Sequence, residues 1–134
     1  HIFFADRYYG YDDAIYVSLR LIEILSNNNL NLSDMVSTIP RYYSTPELRF
    51  ECTNDEVKFD IMTDLERYFE KKYPCSMIDG IKIFVDNGWG LLRASNTQPV
   101  IVCRIEGKTN EELDNIKSII SLKLSEYEDV DFEF

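Results

Sequence analysis

The sequence predicts an α+β fold: a mostly antiparallel four-stranded sheet with two helices on one face, preceded by a short strand and helix that belong to a separate unit. Three observations carry this. From Leu48 onward the patterns run strand, helix, strand, strand, strand, helix. Both helical segments open on capping signals and carry one apolar stripe. A polar stretch over residues 26–40 separates them from a first segment with an apolar period of its own.

The first segment opens with the apolar, strand-like run His1-Ile2-Phe3-Phe4 and passes through the aromatic Arg7-Tyr8-Tyr9-Gly10-Tyr11. Ala14, Ile15, Ser18, Leu19, Ile22 and Leu25 then recur at helical spacing, with Asp12 or Asp13 as the N-cap. Ser26-Asn27-Asn28-Asn29 stops that helix, and the stretch to Ile39-Pro40 has neither a strand nor a helix pattern, so the domain boundary is expected there.

In the second unit, Leu48, Phe50 and Cys52 alternate with Arg49 and Glu51, a half-buried strand. Thr53 and Glu56 have capping-box spacing and open a helix with Val57, Ile61, Leu65 and Tyr68 on one side, which Pro74 ends. Strands follow over 78–85, 89–93 and 99–106, the first two joined by the turn Asp86-Asn87-Gly88 and the last two by Ala94-Ser95-Asn96-Thr97-Gln98. Thr109 with Glu112 starts the last helix, striped by Leu113, Ile116, Ile119 or Ile120, Leu124 and Tyr127, and residues 127–134 form an acidic, aromatic tail.

At 134 residues, 45% hydrophobic and 28% charged, the chain has material for one domain and part of another. With 24 acidic against 14 basic residues, its net charge of −10 disfavours nucleic acid and anionic membranes as partners, so an anionic ligand must be held by a local arrangement of donors. Cys52, Cys75 and Cys103 match neither a zinc spacing nor a disulfide framework, which points to a reducing, cytoplasmic setting. The apolar runs fall far short of the roughly 18–20 residues of a membrane span.

The segment with the most chemistry is Arg93-Ala94-Ser95-Asn96-Thr97, which sets a guanidinium, two hydroxyls and an amide in one tight turn. A phosphate needs several donors converging on its oxygens, and an Arg fork meets that geometry. The same composition also describes an ordinary polar hairpin loop. His1, the single histidine, is by default an exposed residue. Asp12-Asp13 reads as helix capping rather than as metal ligands, because no third carboxylate follows at ligand spacing. Tyr8, Tyr9 and Tyr11 beside Arg7 read as core and interdomain packing, with a sugar- or base-stacking platform as the alternative, and Cys52 and Cys103 as inert members of the core. Arg104 faces away from Cys103 and either supports the Arg93 loop or is solvated.

The run Gly88-Trp89-Gly90-Leu91-Leu92-Arg93-Ala94-Ser95-Asn96-Thr97 resembles the phosphate-binding loop of the phosphomannomutase/phosphoglucomutase group of the α-D-phosphohexomutase superfamily. His1-Ile2-Phe3-Phe4, Tyr11-Asp12-Asp13-Ala14-Ile15-Tyr16, Ser44-Thr45-Pro46-Glu47 and Asp79-Gly80-Ile81 resemble further blocks of that family in the same order, so the resemblance covers essentially the whole chain. It implies the end of the third domain over 1–37, a hinge linker over 38–43 with Pro40 at the hinge, and the C-terminal domain over 44–134.

The resemblance further implies an isomerase that interconverts hexose 1- and 6-phosphates of mannose or glucose. A phosphoserine would carry the phosphoryl group through a glucose 1,6-bisphosphate-type intermediate with Mg²⁺ assisting, both serine and metal lying outside this chain. Arg93, Ser95, Asn96 and Thr97 would hold the phosphate that is not reacting. His1 would be the last residue of a sugar-recognition loop Gly-Glu-Met-Ser-Gly-His. The expected partners are the phosphosugar and the remaining domains of the same chain, and the 134-residue chain alone is expected to be inactive. Ser95-Asn96-Thr97, where phosphoglucosamine mutases usually show Ser-Gly-Thr, favours the mannose/glucose branch. The competing class is a stand-alone α+β module that binds a small molecule or a protein on its open sheet face.

Overall fold

The structure, a computed structural model, describes residues 1–132. The chain divides into two compact units, His1–Pro40 and Arg41–Phe134.

In the first unit, helix α1 (Ala14–Ser26) is capped by Asp13, whose Oδ1 accepts from the Ile15 and Tyr16 amides at 2.9 and 3.0 Å. Asp12 instead accepts from His1 Nδ1 and, at 3.4 Å, from the Ile2 amide. The expected first strand is reduced to one bridge, Phe3 to Asp12, because only one residue faces it and a ladder cannot propagate. Tyr8 stacks on Tyr16 with ring centroids 4.0 Å apart, and its hydroxyl donates to Asp13. The stretch read as patternless contains helix α2 (Leu32–Ser37), capped by Asn31 through the Asp34 amide at 2.9 Å. Six residues are too few to show a helical period. No residue of α1 or α2 is buried within the chain, and Ile15, Leu19 and Ile22 of the expected stripe are exposed.

The second unit comprises β1 (Tyr43–Ser44), β2 (Leu48–Cys52), α3 (Asp55–Glu70), β3 (Cys75–Ser76), β4 (Ile81–Val85), β5 (Gly88–Ala94), β6 (Val100–Gly107), α4 (Asn110–Leu124) and β7 (Val130–Asp131). The sheet is antiparallel throughout, in the order β3-β4-β5-β6-β2-β7, with β1 also paired to β6. The four longer strands are the predicted ones, and three two-residue strands extend them. Residues 133–134 of the predicted tail lie outside the described residues.

Alternation sorts the sheet into two faces. Phe50, Ile83, Leu92, Ile101, Cys103 and Ile105 pack on one core with Ile61, Met62, Leu65 and Phe69 of α3 and Leu113, Ile116, Ile120 and Leu124 of α4, so both helices cover the same face. Arg49, Lys82, Leu91, Arg93, Val102 and Arg104 alternate onto the other face. Gly90 lets α4 approach: a Cβ there would stand 2.7 Å from Ile120 Cδ1.

Three boundaries differ from the sequence expectation. Asn54, not Thr53, caps α3, its Oδ1 accepting from the Val57 amide at 2.9 Å, while the Thr53 hydroxyl donates to Asp129 at 3.3 Å. Strand β4 starts at Ile81 rather than at residue 78, because Gly80 adopts φ +75 and breaks the extended backbone. In the hairpin the left-handed residue is Asp86, φ +50, whereas Gly88 lies in β5 where a Cβ would stand 2.5 Å from the Glu106 carbonyl oxygen.

Candidate functional site: the Arg93 turn

Arg93 is the next-to-last residue of β5 and pairs with Val102 of β6; Arg49 of β2 pairs with Val102 from the other side. The register therefore draws Arg93, Val102 and Arg49 into one row across three strands on the face opposite the helices. The Arg93 side chain is 38% exposed, with Nη1 3.4 Å from Asp79 Oδ2. A long, exposed pair of this kind contributes little and leaves the guanidinium available to an incoming dianion. Gly80 makes the juxtaposition possible, since a Cβ there would lie 2.2 Å from the Leu92 carbonyl oxygen and 2.7 Å from Arg93 Cβ.

Beyond Arg93 the chain turns tightly. The Ser95 amide donates to Val100 O at 2.9 Å, the Val100 amide to Gln98 O at 2.8 Å, and the Thr97 amide to Ser95 Oγ at 3.4 Å. Arg49 also donates to the Gln98 side chain from the sheet side. Among the described residues, the Asn96 amide N–H, the Asn96 side chain and the Thr97 hydroxyl have no hydrogen-bond partner, and both residues are exposed. Asn96 borders a 240 Å³ cleft together with Phe59, Thr63 and Glu66 of α3 and with Asp79 and Gly80. The turn thus presents a guanidinium, two hydroxyls, a carboxamide and a backbone N–H, with the carboxylates of Asp79 and Glu66 bordering the same cleft. That inventory suits an anion with several oxygens.

Beneath the turn lies a residue that the sequence reading passed over. Lys58, 2% exposed at its side chain, donates from Nζ to Ser95 O at 2.7 Å, to Gln98 O at 2.9 Å and to Asp55 Oδ1 at 2.6 Å. The sequence carried a signal, since Lys58 falls on the same helical stripe as Ile61, Met62, Leu65 and Phe69.

The structure brings Arg93, Ser95, Asn96 and Thr97 into one turn of the second unit. Arg104 lies across from Leu91 on the same face as Arg93, exposed and with no ion pair among the described residues. His1 and Pro40 belong to the first unit, where exposed His1 borders a 380 Å³ cleft with Asp12, Ala14 and Val17. Cys103 is fully buried, which pushes its thiol up to about 12, and burial also raises Cys52; neither thiol is primed as a nucleophile.

Residues 47–123, more than half of the chain, match the family described as phosphoglucomutase/phosphomannomutase, C-terminal domain. The chain belongs to the phosphoglucomutase/phosphomannomutase family. It is 41% identical to a phosphomannomutase/phosphoglucomutase of Pseudomonas syringae pv. tomato, over 100% of this chain and 29% of that protein. A phosphoglucomutase of Neisseria meningitidis serogroup A is 36% identical over 88% of this chain and 26% of its own length. The crystal structure of a phosphoglucomutase/phosphomannomutase family protein from Burkholderia thailandensis superimposes with a TM-score of 0.75 at 34% identity, covering 92% of this chain and 26% of that one. The chain therefore spans little more than a quarter of the length of these family members. Among the described residues of this family member, no group of three or more His, Cys, Asp or Glu side chains is placed to hold a metal ion, and no helix is long and apolar enough to cross a membrane.

Proposed function

We propose that this chain is the C-terminal part of a phosphohexomutase that interconverts hexose 1- and 6-phosphates of glucose or mannose, and that the Arg93 turn holds the phosphate that is not reacting. The observation that carries the reading is one short turn on which Asn96 and the Thr97 hydroxyl have no internal partner among the described residues and Arg93 has only a long pair with Asp79, in a chain whose net charge of −10 makes such a site local. Arg93 offers a planar fork to two phosphate oxygens, while Asn96, Thr97 and the Ser95 hydroxyl supply neutral donors around it. Held there, one phosphate fixes the sugar so that the other faces the phosphoserine of the parent protein, and binding energy far from the reacting atoms becomes orientation. A bisphosphate intermediate that turns over would offer its other phosphate to the same donors. His1 would add a sugar contact, Arg104 would strengthen the field on the Arg93 face, and Pro40 would act as the hinge. Mg²⁺, which would neutralise charge on the transferring group, is assigned to the parent protein beyond this chain.

Arg93→Ala and Arg93→Lys in the full-length parent test this reading through kcat/KM on glucose 1-phosphate. Losing the fork should cost about 1.5–3 kcal/mol of transition-state binding, roughly 10- to 150-fold, and Lys should recover only part because it keeps the charge without the planar geometry. A folded Arg93→Ala enzyme within about twofold of wild type, roughly 0.4 kcal/mol, would reduce the segment to an ordinary turn. The 134-residue chain by itself should show no turnover in the same coupled assay.

A further inference from the structure

We propose that Lys58 is the positioning residue of the Arg93 turn, an internal strut whose buried ammonium sets the direction of the loop amide that faces the phosphate. The proposal rests on the phosphate-binding reading above and adds a residue outside the turn to it.

A lysine side chain that is 2% exposed must have its three N–H groups satisfied, and here all three are: by Ser95 O at 2.7 Å, Gln98 O at 2.9 Å and Asp55 Oδ1 at 2.6 Å. Two of these acceptors are backbone carbonyls at either end of the turn, so the ammonium ties together its entry and its exit. The consequence for the loop follows from peptide planarity. In a trans peptide the C=O and the following N–H point in opposite directions. With Ser95 O drawn inward onto Lys58, the Asn96 N–H is directed outward, which agrees with its having no partner among the described residues. The same tether turns two carbonyl oxygens, whose partial negative charge would repel a phosphate, away from the outer surface of the turn. The ammonium also adds positive charge behind the loop, and its one ion-pair partner among the described residues, Asp55, is 67% exposed. Lys58 lies about 4.6 Å from the Phe59 ring centroid, a cation–π contact that helps hold it in place.

The test uses the full-length parent with Lys58→Met, Lys58→Gln and, in parallel, Arg93→Ala. Three quantities are read: KM and kcat on glucose 1-phosphate, competitive inhibition by inorganic phosphate, and hydrogen exchange at the Ser95 amide, which the native turn protects through Val100 O. If Lys58 orients the turn, both Lys58 variants should raise KM and weaken phosphate inhibition about tenfold while kcat changes less than about threefold, and Ser95 should exchange faster with the rest of the domain unaltered. A lysine that merely stabilised the core would lower the melting temperature and leave the ratio of KM to kcat alone. If Arg93→Ala weakens binding while the folded Lys58 variants bind as wild type, the strut is overturned and the phosphate-binding reading survives. If Arg93→Ala also binds as wild type, the phosphate-binding reading itself has failed. Should neither Lys58 variant fold, Lys58 is a core prop and the loop-specific role is overturned.

Discussion

Replacing Gly80 by Ala adds one carbon behind Arg93, and the structure allows its cost to be worked out. Gly80 has φ +75, where an L side chain costs roughly 1 kcal/mol or more. The added Cβ would also stand 2.2 Å from Leu92 O, 2.7 Å from Arg93 Cβ and 2.8 Å from Arg93 Cα. Strand β5 cannot retreat, because Leu92 is paired with Ile81 on one side and Cys103 on the other. The Asp79–Gly80 turn must therefore move, adding about 1–3 kcal/mol of overpacking strain. The sum, about 2–4 kcal/mol, is a large share of the roughly 5–15 kcal/mol that keeps a domain folded. Urea unfolding of the 134-residue chain, followed by circular dichroism, should show this loss. Since Asp79 sits on Arg93, the substitution should also lower kcat/KM on glucose 1-phosphate in the parent protein. A Gly80→Ala chain within about 0.5 kcal/mol of wild type would refute the reasoning, because backbone this close could then shift at almost no cost.

Two further outcomes are expected. The Asp64 carboxyl is held below the usual carboxylate value by Lys123 at 2.8 Å and then by the Tyr127 hydroxyl, so its contribution is full above the unfolded carboxylate pKa and disappears as pH falls through the lower folded value. Between about pH 5 and pH 3 the urea midpoint of wild type should therefore fall more than that of Asp64→Asn, and equal falls would remove Asp64 from the acid response. Because no residue of α1 is buried whereas α4 buries Leu113, Ile116, Ile120 and Leu124, amides of α1 should exchange faster than those of α4. Equal protection would show that α1 draws stability from contacts beyond its own stripe.

How far the sequence could be read depended on how local each determinant is. Thr109 and Glu112 form the full capping box, with the Glu112 amide donating to Thr109 Oγ1 at 3.2 Å and the Thr109 amide to Glu112 Oε2 at 3.1 Å. Thr53 and Glu56 have the same spacing and form none, because the Thr53 hydroxyl is engaged by Asp129, 76 residues away. Nothing in a four-residue window separates those two cases. Gly88 was legible as a hairpin glycine, yet its reason to be glycine is the Glu106 carbonyl at 2.5 Å from a Cβ, on the neighbouring strand. Strands of two residues carry no alternation, so β1, β3 and β7 left no pattern to read.

The candidate site shows the same division. The donors Arg93, Ser95, Asn96 and Thr97 lie within five residues and could be assembled on paper, whereas the carbonyls turned inward depend on Lys58, 37 residues before Ser95. A related signal stands on the other helix. Lys123 lies on the stripe of Leu113, Ile116, Ile120 and Leu124, 7% exposed at its side chain. Burial works most strongly against its charge, yet bonds to Asp64 and Glu126 keep its pKa above the ordinary lysine value. A lysine set into an apolar stripe must have found acceptors in the fold, since an unpaired buried ammonium would be neutralised or expelled. The stripe can tell that such acceptors exist, but only the fold tells which ones. For Lys123 they are carboxylates that hold α3 and the end of α4 together. For Lys58 two of the three are carbonyls of the Arg93 turn, and for that reason a residue that looks like part of the core is placed to act on that turn.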